Sequence, residues 1–561
     1  MDKASLQKSF SQLVKTIIQK INRAPTFYMF IFIYLLIVFI IAPWQNFPIN
    51  DDWDNQLQIL AFQEGDYRIH SAIDAAFIIQ PWMGYIWSFI FGPSFVSLRI
   101  LTIIITIICA YFLNLILKDK LSRKNNLLIL LAFFLNPLVL ASSLSFMTEI
   151  YFLFFSIIGY YFYEKYLQNN HKPSAYIGAL ITGISILARQ FGFVIFIAFV
   201  ISFFLKKKRD WKILFLTLFS AILFITIWQI YPRAGEPDTI SQALIELKFL
   251  SLRSKQMIMI FPLLGFSISF LKFSQDKKTK YISLIITTIL AHFIFKGDIF
   301  PLGNVFNVEC LLCHRRYSPT LTIFDNVYFK IFLAFLIGNT LVRLIFVLFK
   351  NKKIFISQDI FTLLITLGYF SILFFPQDIY DRYALPFILY TLIYLVKNFS
   401  IKKISVPLVI LMICMGLFLN WEFFRSQETQ YKFMKNIENK YGLVRNIFTI
   451  DTFILYEDAI RNEDYLGEKT SNILGREYLC YVDQYYIENE SNPIYTFFEK
   501  LEKVTEKFVK NPQIYNRKKI KGIRRVKKNL DILIYNKSYF SFIYNLVGKQ
   551  TYVGAFCEED I

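Results

Sequence analysis

The chain has 561 residues, 55% of them hydrophobic and 18% aromatic, and a formal net charge of +20. Its mean hydropathy of +0.44 excludes an ordinary soluble globular domain. The basic residues fall in short clusters between apolar runs, as in membrane-protein loops, which argues against nucleic-acid binding; six Cys and four His exclude a disulfide scaffold and a His-rich metal site.

Residues 1–26 form a basic, amphipathic lead. The first apolar run, 27–44, ends without a small-residue cleavage site and is expected to stay as a transmembrane helix. The loop 45–93 opens on "NDDWDN", where Asp51, Asp52 and Asp54 lie close together. The stretch after it is too mixed for a span and too apolar for a free loop, so one or two short interfacial helices are expected. Spans follow at 94–117, 127–142 and 150–166, with Glu149 at the head of the last. Residues 175–205 read as two spans, 175–189 and 191–205, because Arg189 in "LARQFG" would otherwise sit in mid-bilayer. Runs at 213–229, 257–273, 281–296, 327–349, 359–375, 384–396 and 404–421 complete a polytopic α-helical core, residues 27–421, of about 13 transmembrane helices.

Residues 422–561 read as a separate α+β domain. It holds strand-like pieces such as "IFTIDTFILY" (447–456) and an amphipathic helix in "TFFEKLEKVTEKF", where Phe497, Leu501, Val504 and Phe508 share one face. Its basic run "RKKIKGIRRVKK" (517–528) suits a solvated face or a contact with anionic headgroups. With this span count, the basic clusters before Phe27, at 118–125, around Lys165 and Lys172, and at 206–212, 272–280, 350–353 and 397–403 all fall on one side. Basic loops face the cytoplasm. The expectation is therefore a multi-pass cell-membrane protein with a cytoplasmic N-terminus and an extracytoplasmic first loop and tail.

The same count brings the ionisable residues at span ends to the outer face. Asp51 and Asp52 follow the first span, Glu149 begins the fourth, Arg189 ends the fifth, and "PQDIYDRYALP" (376–386) supplies Asp378, Asp381, Arg382 and Tyr383. The bland reading of the acid cluster is loop solubility. Ionisable groups at the ends of apolar helices are nevertheless costly unless paired or facing a polar cavity. A carboxylate can take a proton from a hydroxyl, and an arginine can stabilise a departing phosphate. A sugar on an isoprenoid phosphate needs both, and its tail can remain in the bilayer. There is no GxGxxG, so nothing points to a nucleotide. "CLLCH" (310–314) offers at most three ligands, short of a structural zinc set, and Cys310 and Cys313 are equally readable as a disulfide or as thiols. Cys109 and Cys414, inside spans, read as packing residues, while spacing alone leaves open whether Cys480 and Cys557 pair.

"NDDWDN", "QPWMGYIWSFIFGPSFVSLR", "SFMTE", "LARQFG" and "YDRYALP", in that order, resemble the membrane-embedded glycosyltransferases of the C fold. The resemblance is to the branch with protein O-mannosyltransferases and the lipid A aminoarabinose transferase, and it covers residues 25–400 or so. It implies a polyprenyl-phosphate sugar donor, a lipid, glycan or protein acceptor, and a helical core followed by an outer domain. Carried over by position, it makes Asp51 and Asp52 the catalytic pair, with Asp51 as base and Asp52 holding the acceptor or a divalent cation. It sets Arg382 and Tyr383 beside the donor phosphate; from their position at span ends, Glu149, Arg189 and Asp381 are expected to complete the substrate site. Asp54 is expected to be solvated. Where the family often has His-Pro or Pro-Pro before the second span, this chain has Gln80-Pro81, so a histidine contribution is absent.

Two other functions use the same features less fully. A polysaccharide ligase or polymerase would place its main functional loop late in the chain. A transporter or flippase predicts repeats and helices broken near midplane. A purely structural membrane protein leaves the outer carboxylates unexplained.

Overall fold

The structure is a computed structural model, and it describes residues 25–49, 52–69, 78–205, 210–234, 271–272, 285, 359–373, 381–398, 403–404, 406–441 and four segments of the tail. All but residue 285 of the span expected at 281–296, the span at 327–349, most of 257–273, the "CLLCH" motif, the 496–508 helix, the 517–528 run, Asp51 and Asp378 lie outside these residues.

Helix α1, Thr26–Ile41, buries Phe30, Tyr34, Val38 and Ile41 along one stripe and exposes Phe32 and Phe39 on the other side. Apolar residues on both faces are what a helix needs when one side meets protein and the other lipid. It ends at Ala42, which adopts a left-handed conformation (φ 50°) and donates its N–H to the Val38 carbonyl. The first loop, expected to form one or two short interfacial helices, forms two, α2 (Asp52–Gln63) and α3 (Ile79–Phe91), and α2 is buried along most of its length. Their close crossing requires Gly84, because a Cβ there would lie 2.5 Å from Ile59 Cδ1. The pattern of α3 is inverted relative to a soluble helix. Gln80, Pro81, Gly84 and Ser88 are buried, while Ile86, Phe89, Ile90 and Phe91 are exposed. That apolar outer face suits lipid.

Helix α4, Phe95–Leu117, is capped by Ser94, whose side chain accepts from Ser97 N–H. At 23 residues it is about 35 Å long, enough to cross a bilayer. The run expected at 127–142 is not one straight span. It divides into α5, Arg123–Phe134, and α6, Pro137–Ser143, bent by 69°. The break is local chemistry: Asn136 accepts from the N–H groups of Leu138 and Val139, and Pro137 at the first turn has no N–H to continue α5. Helix α7, Thr148–Asn169, packs along α8, Lys172–Ala188. The separation at Arg189 is as expected: its extended backbone leads through a 3-10 turn, Gln190–Gly192, into α9, Phe193–Phe204. Gly192 lies so close to α8 that a Cβ would sit 2.3 Å from Ser185 Oγ.

Asp210 caps α10, Trp211–Ile230, and its carboxylate also meets Lys172 at 2.7 Å. The Lys172 contact holds that carboxyl below the usual range. After α10 the chain pairs with the first loop, Ile69 N–H donating to the Pro232 carbonyl at 3.0 Å. The later described helices are α11 (Ile360–Ile372), α12 (Leu385–Asn398) and α13 (Val406–Tyr441). By length and composition three described helices can cross a membrane, or four if the bent pair counts as one span. Helix α13 runs unbroken through residue 421, so the expected start of the tail falls inside a helix.

Two short strands, β1 (Leu271–Lys272) and β2 (Lys403–Ile404), pair antiparallel and bring together two of the basic clusters assigned to one side. In the tail, β3 (Ile447–Phe448), β4 (Cys480–Glu488), β5 (Leu530–Tyr535) and β6 (Lys549–Glu558) form a sheet in the order β3-β4-β6-β5. Cys480 and Cys557 are register partners across β4 and β6.

Candidate active site

Four of the residues singled out at span ends, Glu149, Arg189, Arg382 and Tyr383, meet at one end of the helix bundle. Glu149 opens α7 and is buried. Its Oε1 accepts from Arg189 Nη2 at 2.5 Å and lies 3.0 Å from Arg382 Nε. Arg189 leaves the end of α8 and also donates to Thr148 Oγ1 at 3.0 Å. Arg382 sits in the 3-10 turn Asp381–Ala384 that leads into α12. The ring of Tyr383 lies 4.9 Å from the Arg189 guanidinium and 6.0 Å from that of Arg382, so both cations face aromatic π density. Asp381 begins the same turn. Two guanidinium groups thus converge on one carboxylate oxygen. Glu149 Oε2 is buried and accepts no hydrogen bond among the described residues.

A second buried ion pair lies at the head of α4. Arg99 Nη2 meets Asp52 Oδ2 at 3.1 Å, with both side chains fully buried. The same guanidinium donates to the carbonyls of Gln45 at 2.7 Å and Phe47 at 2.5 Å, and reaches that of Pro43 at 3.4 Å. Asp52 Oδ1 accepts from Ile49 N–H at 2.5 Å. The chain between α1 and α2 is thus wrapped around one arginine. Asp52 is committed to that grip, and Asp54, expected in solvent, is buried as well. Asp51, the expected base, is joined to Asp52 in sequence but lies outside the described residues.

The two clusters are tied through Phe146. Its carbonyl accepts from Asn55 Nδ2 at 3.2 Å and from Gln80 Nε2 at 2.8 Å. Asn55 lies on α2 with Asp52, and Phe146 precedes Glu149 by less than one turn. Gln80 therefore fastens α3 to the head of α7. The rest of the first loop is held by its aromatics: Tyr67 stacks on Trp82 at 5.5 Å, and Trp82 Nε1 donates to Tyr231 Oη at 2.8 Å. Hydrogen bonds from Arg68 hold Asp66, at the turn before this contact, below the usual carboxylate range.

Sequence reasoning missed Arg99, although an arginine inside "SFVSLRILTIII" is itself a signal of a buried partner. It also missed a cluster at the other end of the same helices. There Lys397 on α12 bonds Glu164 of α7 and reaches Asp359 before α11 at 2.8 Å, next to Tyr160 and Thr362. No group of three or more His, Cys, Asp or Glu among the described residues is arranged to hold a metal.

Residues 76–231 match the family of dolichyl-phosphate-mannose-protein mannosyltransferases. The matched stretch contains Gln80, Arg99, Glu149 and Arg189. The chain is similar to membrane glycosyltransferases of the C fold. The crystal structure of ArnT from Cupriavidus metallidurans in the apo state aligns with 94% of this chain and 97% of its own, at 10% identity and a TM-score of 0.34; at that score it positions no residue. No curated protein matches the sequence at a significant level. Asp51, Arg382 and Tyr383 fall outside the stretch matched to the family.

Proposed function

We propose that the protein transfers a sugar from a polyprenyl-phosphate donor to a hydroxyl of a lipid, glycan or protein at the extracytoplasmic face of the cell membrane. The observation that carries this reading is the shared grip of Arg189 and Arg382 on Glu149. It gathers two arginine side chains in a largely buried cluster at the bundle end where the acid loop emerges. The planar guanidinium fork matches phosphate oxygens, and a membrane-anchored donor holds its phosphate at headgroup level. The tail remains among lipids, against surfaces such as the apolar face of α3.

In this reading the acceptor hydroxyl gives its proton to Asp51 as its oxygen attacks the anomeric carbon. The sugar–phosphate C–O bond breaks, and the electron pair stays on the departing lipid phosphate. Arg382 and Arg189 stabilise that charge, while Tyr383 fixes their planes. A single displacement inverts the anomeric centre and needs no glycosyl-enzyme intermediate. Asp52 holds the loop through Arg99. With Oδ2 on that guanidinium and Oδ1 on the Ile49 N–H, it does not fit a divalent-cation ligand, and no step is assigned to a metal. A ligase or polymerase would use the same donor class, but nothing in the described geometry favours it, and a flippase leaves Asp51 without a role.

The test is to compare total lipids from cells with and without the chain by mass spectrometry. Loss of the chain is expected to accumulate one glycosylated polyprenyl phosphate and deplete one glycosylated acceptor. Unchanged pools of both would contradict the reading.

A further inference from the structure

Helix α13 is longer than a bilayer requires. Its 36 residues extend about 54 Å against a hydrocarbon core of about 30 Å, and its apolar portion stops at Arg425. Neither the end of that portion nor the part beyond it simply stands in solvent. Asn420, Phe424, Gln427 and Tyr431 recur at helical spacing; the first three are buried and Tyr431 is half-buried. Asn420 Nδ2 donates to the Pro137 carbonyl at 3.0 Å. The Phe424 ring lies 5.7 Å from the Arg99 guanidinium. Arg425 Nη2 reaches the carbonyl of Ile41, the last residue of α1, at 3.4 Å, while its Nη1 meets Glu428 Oε2 at 2.6 Å. Tyr431 stacks on Phe47, with centroids 6.1 Å apart and planes at 29°.

The loop after α1 is therefore held from two sides. Arg99 draws in its carbonyls and Asp52 from within, and α13 lies against it from without. Phe47 belongs to both grips, its carbonyl on Arg99 and its ring on Tyr431. We propose that the C-terminal part of α13, from Asn420 onward, is a positioning element for the acid loop, with Phe424, Arg425 and Tyr431 bracing Arg99, Ile41 and Phe47, which anchor the stretch that leads to Asp51. This rests on the proposed transfer reaction. It gives the junction between core and tail a part in catalysis: the helix that leads into the tail sheet also braces the base.

The test uses the full chain in lipid nanodiscs, as parent, Tyr431→Ala, Tyr431→Phe and Arg425→Met. One readout is transfer kinetics. The other, which needs no substrate, is the rate at which a polar maleimide labels Ile49→Cys in a background without the native cysteines, Ile49 being fully buried. Tyr431→Ala is expected to lower kcat about tenfold or more with donor KM held within about twofold, since small misplacements of a reacting group act on the chemical step. It is also expected to raise the labelling rate severalfold, the signature of local opening. Arg425→Met is expected to do the same more weakly, and Tyr431→Phe, which keeps the ring, to match the parent. Parental kcat with parental protection in Tyr431→Ala would overturn the proposal, as would a fall in kcat without added labelling. Failure of Tyr431→Phe to match the parent would also overturn it, since the stack would then not be the cause. If the parent uses no polyprenyl-phosphate sugar, the transfer reading fails by itself, and unchanged labelling in all variants would then reject the brace separately.

Discussion

Arg189 and Arg382, far apart in sequence, converge on the same oxygen of Glu149, at 2.5 and 3.0 Å. Neither contact is local: one arginine ends α8, and the other precedes α12. Two cations drawn to one buried acid repel each other, and in the proposed reaction the donor phosphate would relieve that repulsion.

Arg382→Ala is accordingly expected to weaken donor use far more than acceptor use. A charge-assisted hydrogen bond to an ionised group contributes about 1.5–3 kcal/mol, which corresponds to roughly 10- to 100-fold in donor affinity. Arg382→Lys is expected to recover part of the loss, lacking the planar fork. Donor titrations at saturating acceptor check this; an unchanged donor dependence would remove Arg382 from the site.

Arg99→Met leaves the Asp52 carboxylate buried without its cation. Breaking one side of a buried pair costs about 3–5 kcal/mol, so a marked fall in thermal stability is expected. Asp52→Leu combined with Arg99→Met removes both charges and should regain much of that stability. Thermal unfolding in a fixed detergent measures both. A double variant no more stable than the single one would show that the carbonyl contacts, rather than the ion pair, dominate.

The opposite end of α7 and α12 supplies a control. Lys397→Met strands Glu164 and Asp359 and is expected to cost several kcal/mol of stability. Because the cluster lies at the other end of the helices from Glu149, donor KM of the folded fraction should stay near parental. A selective rise in donor KM would mean that the two ends communicate.

Much of this arrangement was legible in the sequence, for a physical reason. Charge at the end of an apolar run is costly enough to announce itself, so Glu149, Arg189, Arg382 and Tyr383 could be named from position alone, and the fold brings them together. The division at Arg189 followed from the same cost. What the sequence hid was pairing. Nothing in "NDDWDN" says that Asp52 turns inward to Arg99 while the loop folds over it, or that Asp54 is buried. The break in the third span was written as Asn136-Pro137 but masked by the hydropathy on either side. The length of α13 was hidden because hydropathy falls at residue 421 while the helix continues.

The tail offers a test of sidedness. Directly opposed residues of an antiparallel pair have Cα atoms about 4.5–5.5 Å apart, within the span a disulfide bridges, and Cys480 stands opposite Cys557. In an extracytoplasmic tail, the two thiols are expected to lose two protons and two electrons to a thiol oxidant of that compartment and join. Peptide mapping by mass spectrometry without reduction should find the linked pair. Two free thiols in protein isolated under alkylation would place the tail on the reducing side or refute the pairing.

The most direct test of the account is the single-turnover rate of Asp51→Asn with a defined polyprenyl-phosphate sugar, compared with the parent and Asp54→Asn at matched expression and thermal stability. A general base contributes about 10²–10⁴-fold to rate, or roughly 3–5 kcal/mol of barrier. The account predicts that Asp51→Asn binds donor as the parent does but loses turnover on that scale, while Asp54→Asn stays close to parental once its folding is matched. Near-parental turnover in Asp51→Asn would contradict it.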